Sequence, residues 1–123
     1  AHYACDLDLS WLGDDLPHPV CRTLLVSGDR DLVAEQVDEL QEKYGAVAGD
    51  WESGAIAYVA SRNGLPCLIL RGVSDLVDGQ GGEAYGDLSF FRQAAGSIMA
   101  QLVDQLPDWL ARLPMDVWDT LGS

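Results

Sequence analysis

A chain of 123 residues falls within the usual size of one domain, about 100 to 150 residues, and its 48% hydrophobic content belongs to a globular fold. Its 20 acidic against 7 basic side chains give a formal charge of -13, which repels phosphate backbones and anionic lipid surfaces, so no nucleic acid and no membrane is expected as a partner. No apolar run approaches the ~20 residues of a membrane span, and the N-terminus lacks the basic and apolar regions of a signal peptide; a cytoplasmic, soluble protein is the expectation. Cys5, Cys21 and Cys67 are scattered, odd in number and without metal-ligand spacing, and are expected to be free thiols in a reducing compartment.

From Ala1 to Val20 the sequence mixes His2, Tyr3, Trp11 and several aspartates without sustained periodicity, and reads as an entry segment holding at most one short strand. Cys21 to Val26 is a compact apolar run closed by Ser27-Gly28-Asp29, the form of a buried strand ending in a turn. Val33, Val37, Leu40 and Tyr44 then recur at helical spacing, and Gly45 stands where a C-terminal cap belongs. Ala46 to Ala48 is a candidate short strand. Asp50 offers an N-cap for a helix from Trp51 to about Asn63, stopped by Gly64.

That helix carries a small-residue face, Gly54, Ala55, Ala57 and Ala60, suited to close packing on a sheet. Pro66 then opens the run Cys67-Leu68-Ile69-Leu70, apolar on both alternating faces, which predicts a central strand covered on both sides. Gly72 to Asp87 contains five glycines and reads as a long functional loop, a candidate lid. From Ser89, the residues Phe91, Ala94, Ala95, Ile98, Leu102 and Leu106 trace an amphipathic helix that Pro107 is expected to interrupt, with Trp109 to Leu113 continuing as a shorter one. Residues 1–113 form the expected domain, and 114–123 a loose tail. Strands alternating with helices give an α/β fold with a mostly parallel sheet flanked by helices.

The sequence has no phosphate-cradling Gly-rich loop with a lysine, no Gly-x-Gly-x-x-Gly after a strand and no Gly-x-Ser-x-Gly elbow. His2 and His18 form no local metal motif and read as structural or solvated. Asp6, Asp8, Asp14 and Asp15 read as a solvated edge, because their spacing matches no calcium loop. Neither a metal nor a cofactor is expected.

In an open parallel sheet, ligands gather at the carboxyl ends of strands. Three features fall there: Ser27-Gly28-Asp29, the start of the helix at Trp51, and Ser74-Asp75. Read singly, Glu52 is a first-turn acid favoured by the helix dipole, Asp75 a turn or cap residue, and Arg71 a sheet-end cation paired with one of many acids.

Gly49-Asp50-Trp51-Glu52-Ser53-Gly54-Ala55-Ile56-Ala57, followed by Leu65-Pro66-Cys67-Leu68-Ile69-Leu70-Arg71-Gly72-Val73-Ser74-Asp75, resembles the C-terminal half of the purine nucleoside phosphorylase and nucleosidase superfamily. The 5′-methylthioadenosine/S-adenosylhomocysteine nucleosidases are the nearest likeness. It extends from about His2-Tyr3 to the helix ending near Leu106 and implies a partial phosphorylase/nucleosidase-like fold.

The resemblance implies hydrolysis of the N-glycosidic bond between adenine and a 5′-thio-substituted ribose, through an oxocarbenium-like transition state. Asp75 would be the acid that protonates the purine N7, with Ser74 orienting it and Arg71 beside the nucleophile site. Glu52 would hold the ribose hydroxyls, Trp51 would stand where methionine packs on the ribose, and Leu32 would present backbone groups to the base. Asp50, at the start of the same helix, belongs to this substrate-binding set.

One carboxylate neutral and the other charged is the division such chemistry requires. The match departs at Arg30-Asp31-Leu32, where relatives carry a purine-stacking phenylalanine. It also departs in length: the family's N-terminal half supplies the glutamate that activates water. A small-molecule purine nucleoside is thus the expected ligand, and a homodimer or association with a missing N-terminal half the expected assembly. A purine nucleoside phosphorylase, an inactive nucleoside-binding or assembly fragment, and an acidic α/β domain with an unrelated ligand are the competing readings.

Overall fold

The computed structural model describes residues 5–78, 81–82 and 88–122. Strand β1 (Leu25–Ser27), helix α1 (Ala34–Tyr44) and strand β2 (Ala48–Asp50) form one βαβ unit. The two strands pair in parallel with Leu25 opposite Ala48, Val26 opposite Gly49 and Ser27 opposite Asp50. Val47 N–H donates to Leu24 O at 3.2 Å and Gly28 N–H to Asp50 O at 3.0 Å, extending the ladder at both ends. This α/β core with a parallel pair agrees with the expected fold class.

Helix α1 follows its sequence signals. Val37, Leu40 and Tyr44 are half-buried while the charged positions face water. Gly45 takes the left-handed conformation at φ 65° and donates to Gln41 O at 2.8 Å, so a residue with a Cβ would be strained there. Leu32 folds back onto β2: a Cβ at Gly49 would lie 2.6 Å from Leu32 Cδ1, and the glycine is what allows the approach.

Helix α2 (Ser53–Arg62) begins two residues later than the sequence suggests and ends at Asn63 and Gly64 as expected. Its small-residue face packs only in part, with Ala55 exposed and Ala60 half-buried. Ala57 is buried, and Gly54 sits directly against Ser27 of β1. Val77–Asp78 and Gly81–Gly82 pair antiparallel as β3 and β4. The rest of the candidate lid, residues 79–80 and 83–87, lies outside the described residues, as does His2.

Several expectations are corrected. The buried strand expected over Cys21 to Val26 is confined to Leu25–Ser27, with Cys21 to Leu24 exposed, and the expected loose tail 114–123 carries a helix, Met115–Leu121. Cys67-Leu68-Ile69-Leu70 forms no strand among the described residues. A strand exists only through a neighbour's ladder, and both described edges of the β1–β2 pair leave this run without one. Its leucines are half-buried and border an apolar groove instead. Leu68 and Leu70 line a groove of about 240 Å³ with Met99, Leu102, Val103 and Leu106.

Helix α3 (Leu88–Leu110) also runs unbroken through Pro107. An internal proline removes one backbone hydrogen bond and costs ~3 kcal/mol or more. Continuing the helix carries Trp109 into the interior, where only 3% of it is exposed, and burying so large an aromatic offsets the loss.

The entry segment closes over that tryptophan. A 3-10 turn at Ser10–Leu12 buries Leu12, and Arg112 Nη1 reaches Leu12 O at 3.5 Å. His18 is structural: Nε2 lies 2.8 Å from Asp108 Oδ2, and its ring centroid is 6.1 Å from that of Trp109. The stretch after Pro114 contains a further helix, α4 (Met115–Leu121), in which Thr120 Oγ1 donates to Asp116 O at 2.9 Å.

The thiols of Cys5, Cys21 and Cys67 are free. Burial, with the nearby Cys5 adding to it, pushes the Cys67 thiol up and suppresses its thiolate.

Candidate active site

The parallel register sets Ser27 beside Asp50 at the carboxyl ends of β1 and β2, where α2 starts. Ser27 Oγ donates to Asp50 Oδ1 at 2.6 Å and accepts the Gly54 N–H at 2.8 Å. Asp50 Oδ1 also accepts the Ser53 N–H at 3.1 Å and so steadies the start of α2 from outside it; the N-cap itself is Glu52, without a side-chain cap bond, and not Asp50 as the sequence suggests. The Ser53 hydroxyl, in a residue only 2% exposed, donates to Asp50 Oδ2.

Arg71 completes the cluster from the far side of α2. Its Nη2 lies 2.7 Å from Asp50 Oδ2, and Nε and Nη2 donate to Ser53 Oγ at 3.1 and 2.9 Å. The same Nη2 stands 3.6 Å from Glu52 Oε2. One guanidinium therefore serves a mostly buried carboxylate, its side chain 12% exposed, and a rim carboxylate that is 61% exposed.

Burial alone pushes the Asp50 carboxyl up. Hydrogen bonds from Ser27 and Ser53, with the Arg71 charge, outweigh burial and hold it below the ordinary carboxylate range. A group depressed in the folded state contributes stability that is present above its unfolded pKa, about 3.9 for aspartate, and lost as pH falls through the folded value. Urea unfolding of the protein and of Asp50→Asn between neutral pH and the onset of acid unfolding should therefore show a stability gap that is constant above pH ~5 and narrows below pH ~4. A gap that widens on acidification would contradict this.

The sequence-selected residues divide into two groups. Asp50, Glu52 and Arg71 meet, with Trp51 beside them, 57% exposed and turned to solvent. Leu32 is half-buried against Gly49 on β2. Ser74 and Asp75 form a second pair on the loop after Arg71: Ser74 Oγ donates to Asp75 Oδ1 at 2.6 Å, and both are half-buried. Among the described residues no hydrogen bond or ion pair joins Glu52 to Asp75, so Arg71 and the short segment after it are the link between the two groups.

Ser27 and Ser53 were placed by the sequence at the strand end and at the helix start, but neither was given a role. The structure makes both of them partners of Asp50. The pairing of Ser27 with Asp50 depends on strand register, which has no local signature.

A wider hollow of about 340 Å³, walled by Leu7, Asp8, Leu9, Ser10, Gly13, Asp14 and Arg22, contains none of these residues. Among the described residues no three His, Cys, Asp or Glu side chains are grouped to hold a metal ion, and no helix is long and apolar enough to cross a membrane.

A strand-end cluster of this kind on a βαβ unit is where the family relationship shows. Residues 9–106 match the family model of the phosphorylase superfamily, a span that includes every residue named above from Ser27 to Asp75, and the chain belongs to that superfamily. Among curated proteins it is similar to a 5′-methylthioadenosine/S-adenosylhomocysteine nucleosidase of Staphylococcus saprophyticus, with 35% identity over 85 residues, 68% of this chain and 36% of the relative. An aminodeoxyfutalosine nucleosidase of Helicobacter pylori is 27% identical over 85 residues, 68% of this chain and 37% of the relative. The chain thus spans little more than a third of the length of these relatives. No solved structure gives a significant match.

Proposed function

We propose that this chain supplies the ribose-holding and proton-donating part of an enzyme that cleaves the N-glycosidic bond of purine nucleosides, acting on adenine thionucleosides such as 5′-methylthioadenosine and S-adenosylhomocysteine. The observation that carries the reading is the Ser74–Asp75 pair, placed four residues beyond an arginine anchored at the mouth of the β1–β2 unit.

A glycosidic bond to adenine breaks readily only when the leaving base is protonated, since the adenine anion is a poor leaving group. In the proposed mechanism Asp75 delivers that proton to N7. The Ser74 hydroxyl occupies Oδ1 and leaves Oδ2 to carry the proton.

As the bond lengthens, positive charge gathers on the ribose. Glu52, open to solvent, accepts hydrogen bonds from the ribose hydroxyls and holds the sugar in ground and transition state alike. The exposed face of Trp51 gives the sugar an apolar wall, and the backbone around Leu32 meets the base. Arg71, already committed to Asp50, retains donors that can place the attacking water.

Exposed Ile56 and Val59 on α2, with Leu65, Met99, Val103 and Leu106, leave apolar surface that calls for cover. A homodimer, or association with the rest of the domain, would supply it. The free cysteines fit a cytoplasmic setting.

Incubating the full-length protein with methylthioadenosine and following free adenine tests the reading. Adenine should appear without added phosphate. Release only when phosphate is present would make the enzyme a phosphorylase, a reading the superfamily allows and Arg71 would serve. Aminodeoxyfutalosine belongs in the same assay, because the second relative is named for it. No base released from any of these nucleosides would defeat the proposal.

A further inference from the structure

We propose that Ser27 is a positioning residue for Glu52, an inference that rests on the nucleosidase reading above. Glu52 lies in the two-residue turn between Asp50 and Ser53, and its carboxylate is mostly exposed, so its own side chain is weakly held: among the described residues its one ion-pair contact is Arg71 at 3.6 Å. What fixes Glu52 is the backbone on either side.

On the N-terminal side Asp50 is tied into the sheet, its carbonyl accepting the Gly28 N–H at 3.0 Å. On the C-terminal side the Ser53 N–H is bonded to Asp50 Oδ1 and the Gly54 N–H to Ser27 Oγ. The Ser27 hydroxyl joins the two sides, since it donates to Asp50 Oδ1 while it accepts from Gly54. A single hydroxyl on β1 thereby locks the turn that carries Glu52.

Two features support this role. The hydroxyl serves one amide and one carboxylate at once, which uses both its donor and an acceptor lone pair. The fit is also tight: a Cβ on Gly54 would lie 3.0 Å from Ser27 Cβ and 3.3 Å from Ser27 Oγ, so the glycine is needed for the hydroxyl to reach the amide. Removing the hydroxyl frees the first turn of α2, and Glu52 with it, without touching Ser74 or Asp75.

The test uses Ser27→Ala and Gly54→Ala in the full-length protein, with amide hydrogen exchange and nucleoside kinetics read together. In Ser27→Ala the Gly54 amide should exchange about tenfold faster or more, because its acceptor is gone. The KM for methylthioadenosine should rise about tenfold with kcat within a few-fold, the scale of lost hydrogen bonding that holds substrate rather than drives the proton transfer.

Gly54→Ala keeps the hydroxyl and places a better helix former in α2, yet pushes the hydroxyl aside, so it should raise KM in the same way. Unchanged Gly54 exchange in Ser27→Ala overturns the lock whatever the kinetics. Faster exchange with KM unaltered in both variants overturns its service to Glu52. A wild-type protein that turns over no nucleoside defeats the functional reading instead, and exchange at Gly54 still decides whether Ser27 holds the turn.

Discussion

Replacing Asp75 by asparagine is expected to slow base release by about a hundredfold to ten-thousandfold, the range that a positioned proton donor contributes. The side chains are nearly the same size, and the asparagine carbonyl can still accept the Ser74 hydroxyl that now donates to Asp75 Oδ1 at 2.6 Å. The fold and the nucleoside KM should therefore stay close to wild type, and the loss should fall on kcat. The missing capacity is specific: an amide cannot give up a proton to N7. Adenine release measured under saturating methylthioadenosine, with urea unfolding as a control, checks the prediction. A variant that turns over at the wild-type rate removes Asp75 from the acid role.

Where local chemistry decides, the sequence was a good guide. Helix α1 with its glycine cap and the end of α2 at Asn63 and Gly64 are set by residues within a few positions of one another, and both are present. The strand expected at Cys67–Leu70 was not legible in the same way. Alternation tells which faces are apolar, whereas pairing depends on what lies alongside, and these leucines border a groove beside α3 with no described strand next to them.

Pro107 shows the same limit from the other direction. Its local cost is real, yet the burial of Trp109 two residues later outweighs it. At the site, Asp50, Glu52 and Arg71 were each recognisable, but their meeting was not. It follows from the register that sets Ser27 opposite Asp50 and from the return of the chain at Arg71, neither of which has a local signature. The opposite protonation expected of Glu52 and Asp75 remains part of the proposed mechanism, and the Asp75→Asn kinetics bear on it directly.

Trp109→Ala should be the most destabilising single change outside the site, at about 3 to 5 kcal/mol, the usual range for deleting a buried large aromatic. Leu12, Ala57 and Trp109 are the buried apolar residues among those described, so the indole is a large share of a small core. It also ties the end of α3 to the entry segment through its ring contact with His18, which pairs with the neighbouring Asp108. Without it, the helix loses the burial that offsets Pro107 and the entry segment loses its floor.

Trp109→Phe separates packing from polarity. The indole N–H is buried with no hydrogen-bond partner among the described residues, so phenylalanine discards an unsatisfied donor while keeping most of the aromatic surface. That variant should lose less than about 1.5 kcal/mol, as volume-conserving apolar exchanges usually do. Urea midpoints for the full-length protein and both variants provide the comparison. Equal losses in the two would mean that the N–H, through a bound water, matters as much as the ring; a negligible loss in Trp109→Ala would mean that the entry segment and α3 are held together by something other than this tryptophan.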